Sequence, residues 1–260
     1  MLDKAIEEIN PAENIRKKNL YKLMNEEAIN ILNDINLFKK YLDIQSTFDK
    51  YSVGNVLLIL SQAPNTKQLN KTKQSLRDTE VLLIQPKKEK NSNFNNYKLY
   101  SSERKIKLNK YYGDNKLLLK GFLNLCPVDI KVVEKIDNEL NVYWNNDMKL
   151  LYIKKGCEYK DLFEGLAREL TKEELGADNT ELSNFKVNCI SYMILKKYNL
   201  DVSHYSFDKI PKDFLKENPK DIRSELNELK EGLMIFSNRV NSFFNDLYKV
   251  EMRKEKYKGR

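Results

Sequence analysis

Apolar residues recur at three-to-four spacing near the start of the chain. Ala28, Ile31, Leu32, Ile35, Phe38, Leu42 and Ile44 would line one stripe of a helix, so residues 1–50 are expected to be helical. A second helix is expected in YSVGNVLLILSQAP, with Ser52 as its N-cap and Pro64 stopping it after Gln62. Residues 65–80 are polar and basic and read as a loop or short helices. VLLIQP, residues 81–86, is a β-rich run closed by proline, and Tyr97 to Tyr100 reads as another strand. The asparagine-rich stretch from Asn91 to Asn96 between them reads as a turn or loose loop. Leu117 to Leu125 reads as a further strand ended by Pro127, with a short helix through Val133.

The pattern then changes. NVYW and KLLYI suggest a hairpin around the turn Asn145–Asn146–Asp147, with Trp144 in its core. Helices are expected over 158–175, 181–199 and 221–249, with Gly176 as C-cap of the first. The tail from Lys249 to Arg260, net +4, is expected to fray. The fold class is therefore α+β. No linker rich in Gly, Pro or Ser separates the halves, which are assigned as residues 1–125 and 126–249 followed by a basic tail, 250–260.

Composition adds limits. Hydrophobic residues make up 41% of the chain and aromatics 10%, enough for a packed core. The longest apolar stretch, Val56 to Leu60, is far too short to span a bilayer, so no membrane partner is expected. No charged-then-apolar leader is visible, and Cys126, Cys157 and Cys189 form no CxxC pair. Both features suit a soluble cytoplasmic protein with reduced thiols. The formal charge is +8, and its distribution is the informative part. Between Asn65 and Tyr112 there are twelve Lys/Arg against four Asp/Glu, so this one segment carries the whole surplus.

That segment suits single-stranded nucleic acid. Phosphates call for cations, which Lys67, Lys71, Lys73, Arg77, Lys87, Lys88, Arg104 and Lys105 supply. Unstacked bases call for aromatic platforms, and Tyr97 and Tyr100 are interleaved with those cations. The same residues also read as half-buried strand tyrosines and a solvated lysine face. Tyr51, Ser52, Asn55 and Gln62 read either as direct contacts or as capping and interhelical hydrogen-bonding groups.

FDKYSVGNVLLILSQAPNTKQL followed by VLLIQP resembles the N-terminal domain of ArdC-type antirestriction proteins. The matching positions are Tyr51, Ser52, Asn55, Val56 to Leu60, Gln62, Pro64 and Val81 to Pro86. The loop after Pro64 departs from the family pattern in having neither a tryptophan nor a Lys-Gly turn. The resemblance implies a single-stranded DNA-binding module carried by a plasmid, phage or conjugative element, with antirestriction as its service.

The second half, from MKLLYIKKG through YKDLFEGLARELTKEEL to about residue 245, resembles zinc peptidases of the ImmA/IrrE type. An active member has HExxH on the first helix, two histidines one turn apart around a general-base glutamate. Here the motif reads Arg168, Glu169, Leu170, Thr171, Lys172, and the position of an acidic third ligand is occupied by Asn188. Two permanent cations oppose a metal dication as firmly as the missing lone pairs do. No metal or other cofactor is expected, and the chain reads as a non-enzyme. His204 is the only histidine, no G-x-S-x-G elbow is present, and the eight glycines form no phosphate loop. Arg168 is expected to pair with Glu164 on the helix surface, and Glu169 to lie on a charged helix face. The expected function is non-catalytic binding of nucleic acid, single-stranded DNA foremost. The alternative is a pseudopeptidase that grips a protein partner, a repressor or host defence factor, without cleaving it.

Overall fold

The computed structural model describes residues 11–71, 80–84, 97–103, 113–124, 126, 128–137 and 140–258, with backbone alone for 11–17, 68–71, 80, 97–103 and 251–258. Helices and two small sheets give the α+β class expected. The chain divides into two compact units, one of residues 1–106 and 207–227, the other of 107–206 and 228–260. The sequence alone places the division at residue 125. The contacts instead assign 107–125 to the second unit and return 207–227 to the first.

In the first unit, helix α1 (Pro11–Asn33) is followed by α2 (Ile35–Thr47) and α3 (Val53–Gln62). The single helical run expected here is broken at Asp34, whose extended backbone and side chain cap α2 by accepting from the N–H groups of Asn36 and Leu37. Ser52 caps α3 as expected, accepting from Asn55 N–H at 3.3 Å. Strands β1 (Gln68–Lys71), β2 (Glu80–Ile84) and β3 (Tyr97–Glu103) form an antiparallel sheet in the order β1-β3-β2. β1 corrects the loop or short helices expected over 65–80: this polar stretch pairs through its backbone with β3. Ala28, Ile31, Phe38, Tyr41, Leu42, Val56 to Leu60, Val81 and Leu83 are buried in the core. Phe38 meets Phe214 edge-on at 5.9 Å and Phe207 at 6.5 Å, which ties segment 207–227 to this unit.

In the second unit, α4 (Asn115–Asn124) replaces the strand expected over 117–125, and β4 (Asp129–Val133) replaces the short helix expected after it. Asp114 explains the first change, since its carboxylate accepts from the N–H groups of Lys116 and Leu117 and starts a helix. Leu118, Gly121 and Phe122 then fall on one buried face at helical spacing. The expected hairpin is present as β5 (Val142–Asn145) and β6 (Leu150–Lys154), with Trp144 buried. β4 joins β6 in parallel, giving a mixed sheet ordered β4-β6-β5. Helices α5 (Tyr159–Leu175) and α6 (Glu181–Lys197) follow, and Gly176 closes α5 in the left-handed conformation at φ 55°. Gly165 lets α5 lie on the sheet: a Cβ there would stand 2.6 Å from Val142 Cγ2.

Helix α7 (Pro219–Lys258) contributes its first turns to the first unit and the remainder to the second. It outruns the expected end at 249. Lys, Glu, Met and Arg are good helix formers, no glycine or proline interrupts 249–258, and Lys249 pairs with Asp246 at 2.9 Å. Among the described residues no helix is long and apolar enough to cross a membrane.

Candidate nucleic-acid interface

β2 is an edge strand, so alternate residues turn their backbone groups away from β3. Those groups belong to Leu82 and Ile84, and both are met by side chains of α3. Asn55 Nδ2 donates to the Ile84 carbonyl at 2.9 Å, and Asn55 Oδ1 accepts from the Ile84 N–H at 2.9 Å. One step along, Gln62 Nε2 donates to the Leu82 carbonyl at 3.1 Å and Oε1 accepts from the Leu82 N–H at 3.0 Å. Gln62 Nε2 also donates to the Leu58 carbonyl at 2.9 Å. A carboxamide offers the same donor and acceptor as a peptide group, so α3 completes the ladder as a further strand would. Of the two readings of Asn55 and Gln62, direct contact or hydrogen bonding between elements, the structure shows the second kind, with both amides bonded to β2.

The neighbouring positions also make contacts within the first unit. Ser52 is the cap of α3, and Tyr51 packs edge-on against Phe48 with ring centroids 5.5 Å apart. Among the cations, Lys67 is exposed just before β1. Lys71 lies in β1 opposite Tyr100 of the central strand, which in turn faces Val81 of β2, and Tyr97 pairs with Ile84. Lys73, Arg77, Lys87, Lys88, Arg104 and Lys105 lie outside the described residues, in stretches that flank the three strands in sequence.

The second unit brings together the residues at the peptidase-like positions. Lys160, Glu164, Arg168 and Lys172 follow one another at four-residue spacing and share one face of α5. Arg168 Nη1 donates to Asn188 Oδ1 at 3.1 Å, which joins α5 to α6. The expected Arg168–Glu164 pair is therefore not formed. Glu164 instead meets His204 Nε2 at 3.0 Å. Lys160 meets Asp201 at 2.8 Å, so loop 201–205 is fastened twice to this stripe. Lys160's ammonium and the Ser203 amide hold the Asp201 carboxyl well below the usual carboxylate range. Tyr205 packs edge-on to Tyr192 at 5.7 Å, and burial beside Glu164 pushes its phenol up.

Glu169, read from the sequence as one more residue of a charged helix face, is only 4% exposed. Its Oε2 accepts from the Trp144 N–H of β5 at 3.1 Å, and its Oε1 meets Lys172 Nζ at 2.6 Å. Packing of α5 on the hairpin accounts for the burial, a tertiary effect that a local charge pattern does not carry. Arg168, Glu169, Lys172 and Asn188 do not fit zinc: neither cation offers a lone pair, and the guanidinium is bound to Asn188 and the ammonium to Glu169. Among the described residues no three His, Cys, Asp or Glu side chains converge as metal ligands. Cys189 is wholly buried, and burial pushes its thiol well up.

The amide ladder was missed in the sequence, although a signal was there: two carboxamides seven residues apart share a helix face near an isolated β-rich run. Comparison with known proteins found no matching family model, curated protein or solved structure.

Proposed function

We propose that this protein binds single-stranded DNA without catalysis. The observation that carries the reading is that the stretch of sequence with the +8 surplus, residues 65–112, also holds the three strands of the first unit's sheet. Lysines and arginines release counterions from phosphates, and aromatic rings accept unpaired bases. The resemblance to the ArdC N-terminal domain supports the same reading, and with it a cytoplasmic role in protecting an entering strand of a mobile element. Arg168, Glu169, Lys172 and Asn188 act as cross-links within the second unit, consistent with a non-enzymatic role. The protein-partner alternative gains no specific support from the α5 stripe, whose charged groups are engaged with loop 201–205, Asn188 and Glu169.

Filter binding of matched single-stranded and duplex oligonucleotides at two salt concentrations tests the reading. Tighter binding to the single strand at both salts is expected. Equal or tighter binding to duplex would overturn it, because stacking platforms need unpaired bases.

A further inference from the structure

The mixed sheet of the second unit has two different faces. Val142, Trp144, Leu151 and Ile153 form the inner face and are buried beneath α5. The alternate residues turn outward, and two of them are tyrosines. Tyr143 and Tyr152 are direct cross-strand partners, with ring centroids 6.4 Å apart and planes inclined by only 23°. Tyr143 is 40% exposed. The hydroxyl of Tyr152 donates to Met148 Sδ at 3.3 Å, which fixes that ring from the hairpin tip.

β4 extends the row. Lys131 pairs in register with Tyr152, so one line across three strands reads Lys131, Tyr152, Tyr143. Lys154, two residues along β6 from Tyr152, falls on the same face. Neither lysine forms an ion pair among the described residues, whereas Lys155 next door is taken by Glu134 at 2.8 Å. Asp129 is the one carboxylate among the outward strand positions. A solvent-facing sheet surface is ordinarily polar. Here it presents near-parallel aromatic rings with free ammonium groups beside them.

We propose that this outward face is a stacking platform for unpaired bases of single-stranded DNA, with Tyr143 and Tyr152 taking bases and Lys131 and Lys154 taking phosphates. The proposal rests on the single-strand reading above and adds a contact region on the sheet of the second unit, outside the basic segment 65–112. Charge complementarity favours a polyanion over an apolar partner. The half-exposed rings favour one whose bases are unpaired, since duplex bases offer no free face.

The test compares oligo-dT, oligo-rU and an abasic DNA oligomer of the same length, on the full chain. Tyr143→Ala with Tyr152→Ala is expected to weaken oligo-dT binding about tenfold or more while leaving abasic binding and the salt slope unchanged. Lys131→Ala with Lys154→Ala, at outward positions that spare the core, is expected to flatten the slope of log K against log salt by about 1.4. If wild type binds oligo-dT and both variants match it in affinity and slope, the platform is overturned and the single-strand reading stands. If wild type does not bind oligo-dT, both fall. Tighter oligo-rU binding, lost in the tyrosine variant, would overturn DNA as the occupant.

Discussion

Asn55 and Gln62 work as peptide groups on short stalks. Each satisfies one outward N–H and one outward C=O of β2, groups that would otherwise lie unpaired under the helix. A buried polar group left without its partner costs about 1–3 kcal/mol. Asn55→Leu is therefore expected to lower unfolding free energy by at least that much in urea denaturation, and to leave DNA affinity of the folded fraction unchanged. A loss of DNA affinity without loss of stability would return Asn55 to the binding surface. Glu169 poses a parallel case, and Glu169→Leu should cost a similar amount by orphaning the Trp144 N–H. Asp201 adds a pH dependence. Its folded carboxyl lies below its unfolded value, so its stabilising contribution is complete above about pH 4 and is lost as pH falls through the lower folded value. Asp201→Asn is expected to flatten the acid limb of Tm against pH, and an unchanged limb would contradict the Lys160–Asp201 latch. At this scale the sequence showed which residues were unusual but not what each touches. Arg168 reaches Asn188 rather than Glu164 because α6 packs beside α5, a fact no i,i+4 rule contains.

Among the elements, those with strong periodicity and clear caps were legible. Ser52 and Pro64 bounded α3, Gly176 closed α5, and the alternation of Val142, Trp144, Leu151 and Ile153 marked the hairpin. The errors fell where local signals compete. Leu117–Leu118–Leu119 reads as a strand by apolar run alone, while Asp114, accepting from the N–H groups two and three residues on, caps the segment as a helix. Asp114→Ala is expected to cost about 1 kcal/mol, measured by denaturation, because both capped N–H groups lose their acceptor. A change within error would mean that burial of Leu118 and Phe122 sustains α4 without its cap. β1 was illegible for a different reason: Gln68–Lys71 has almost no apolar content, and its strand state comes from pairing with β3.

For the whole molecule, the α+β class followed from the order of periods along the chain, but the division into units did not. Segment 207–227 returns to the first unit through Phe207 and Phe214 on Phe38, contacts between residues remote in sequence. Charge was legible without any fold, since the surplus is confined to one stretch. The central claim is that this stretch grips the phosphates of a single strand, and the salt dependence of binding tests it most directly. With about four to six phosphate contacts, log K on single-stranded DNA should fall with log salt at a slope of roughly −3 to −4. Replacing Lys71, Lys73, Lys87 and Lys88 together by alanine should flatten that slope by up to about 3 and weaken binding alike on every sequence. A four-lysine variant that keeps the wild-type slope would contradict the claim.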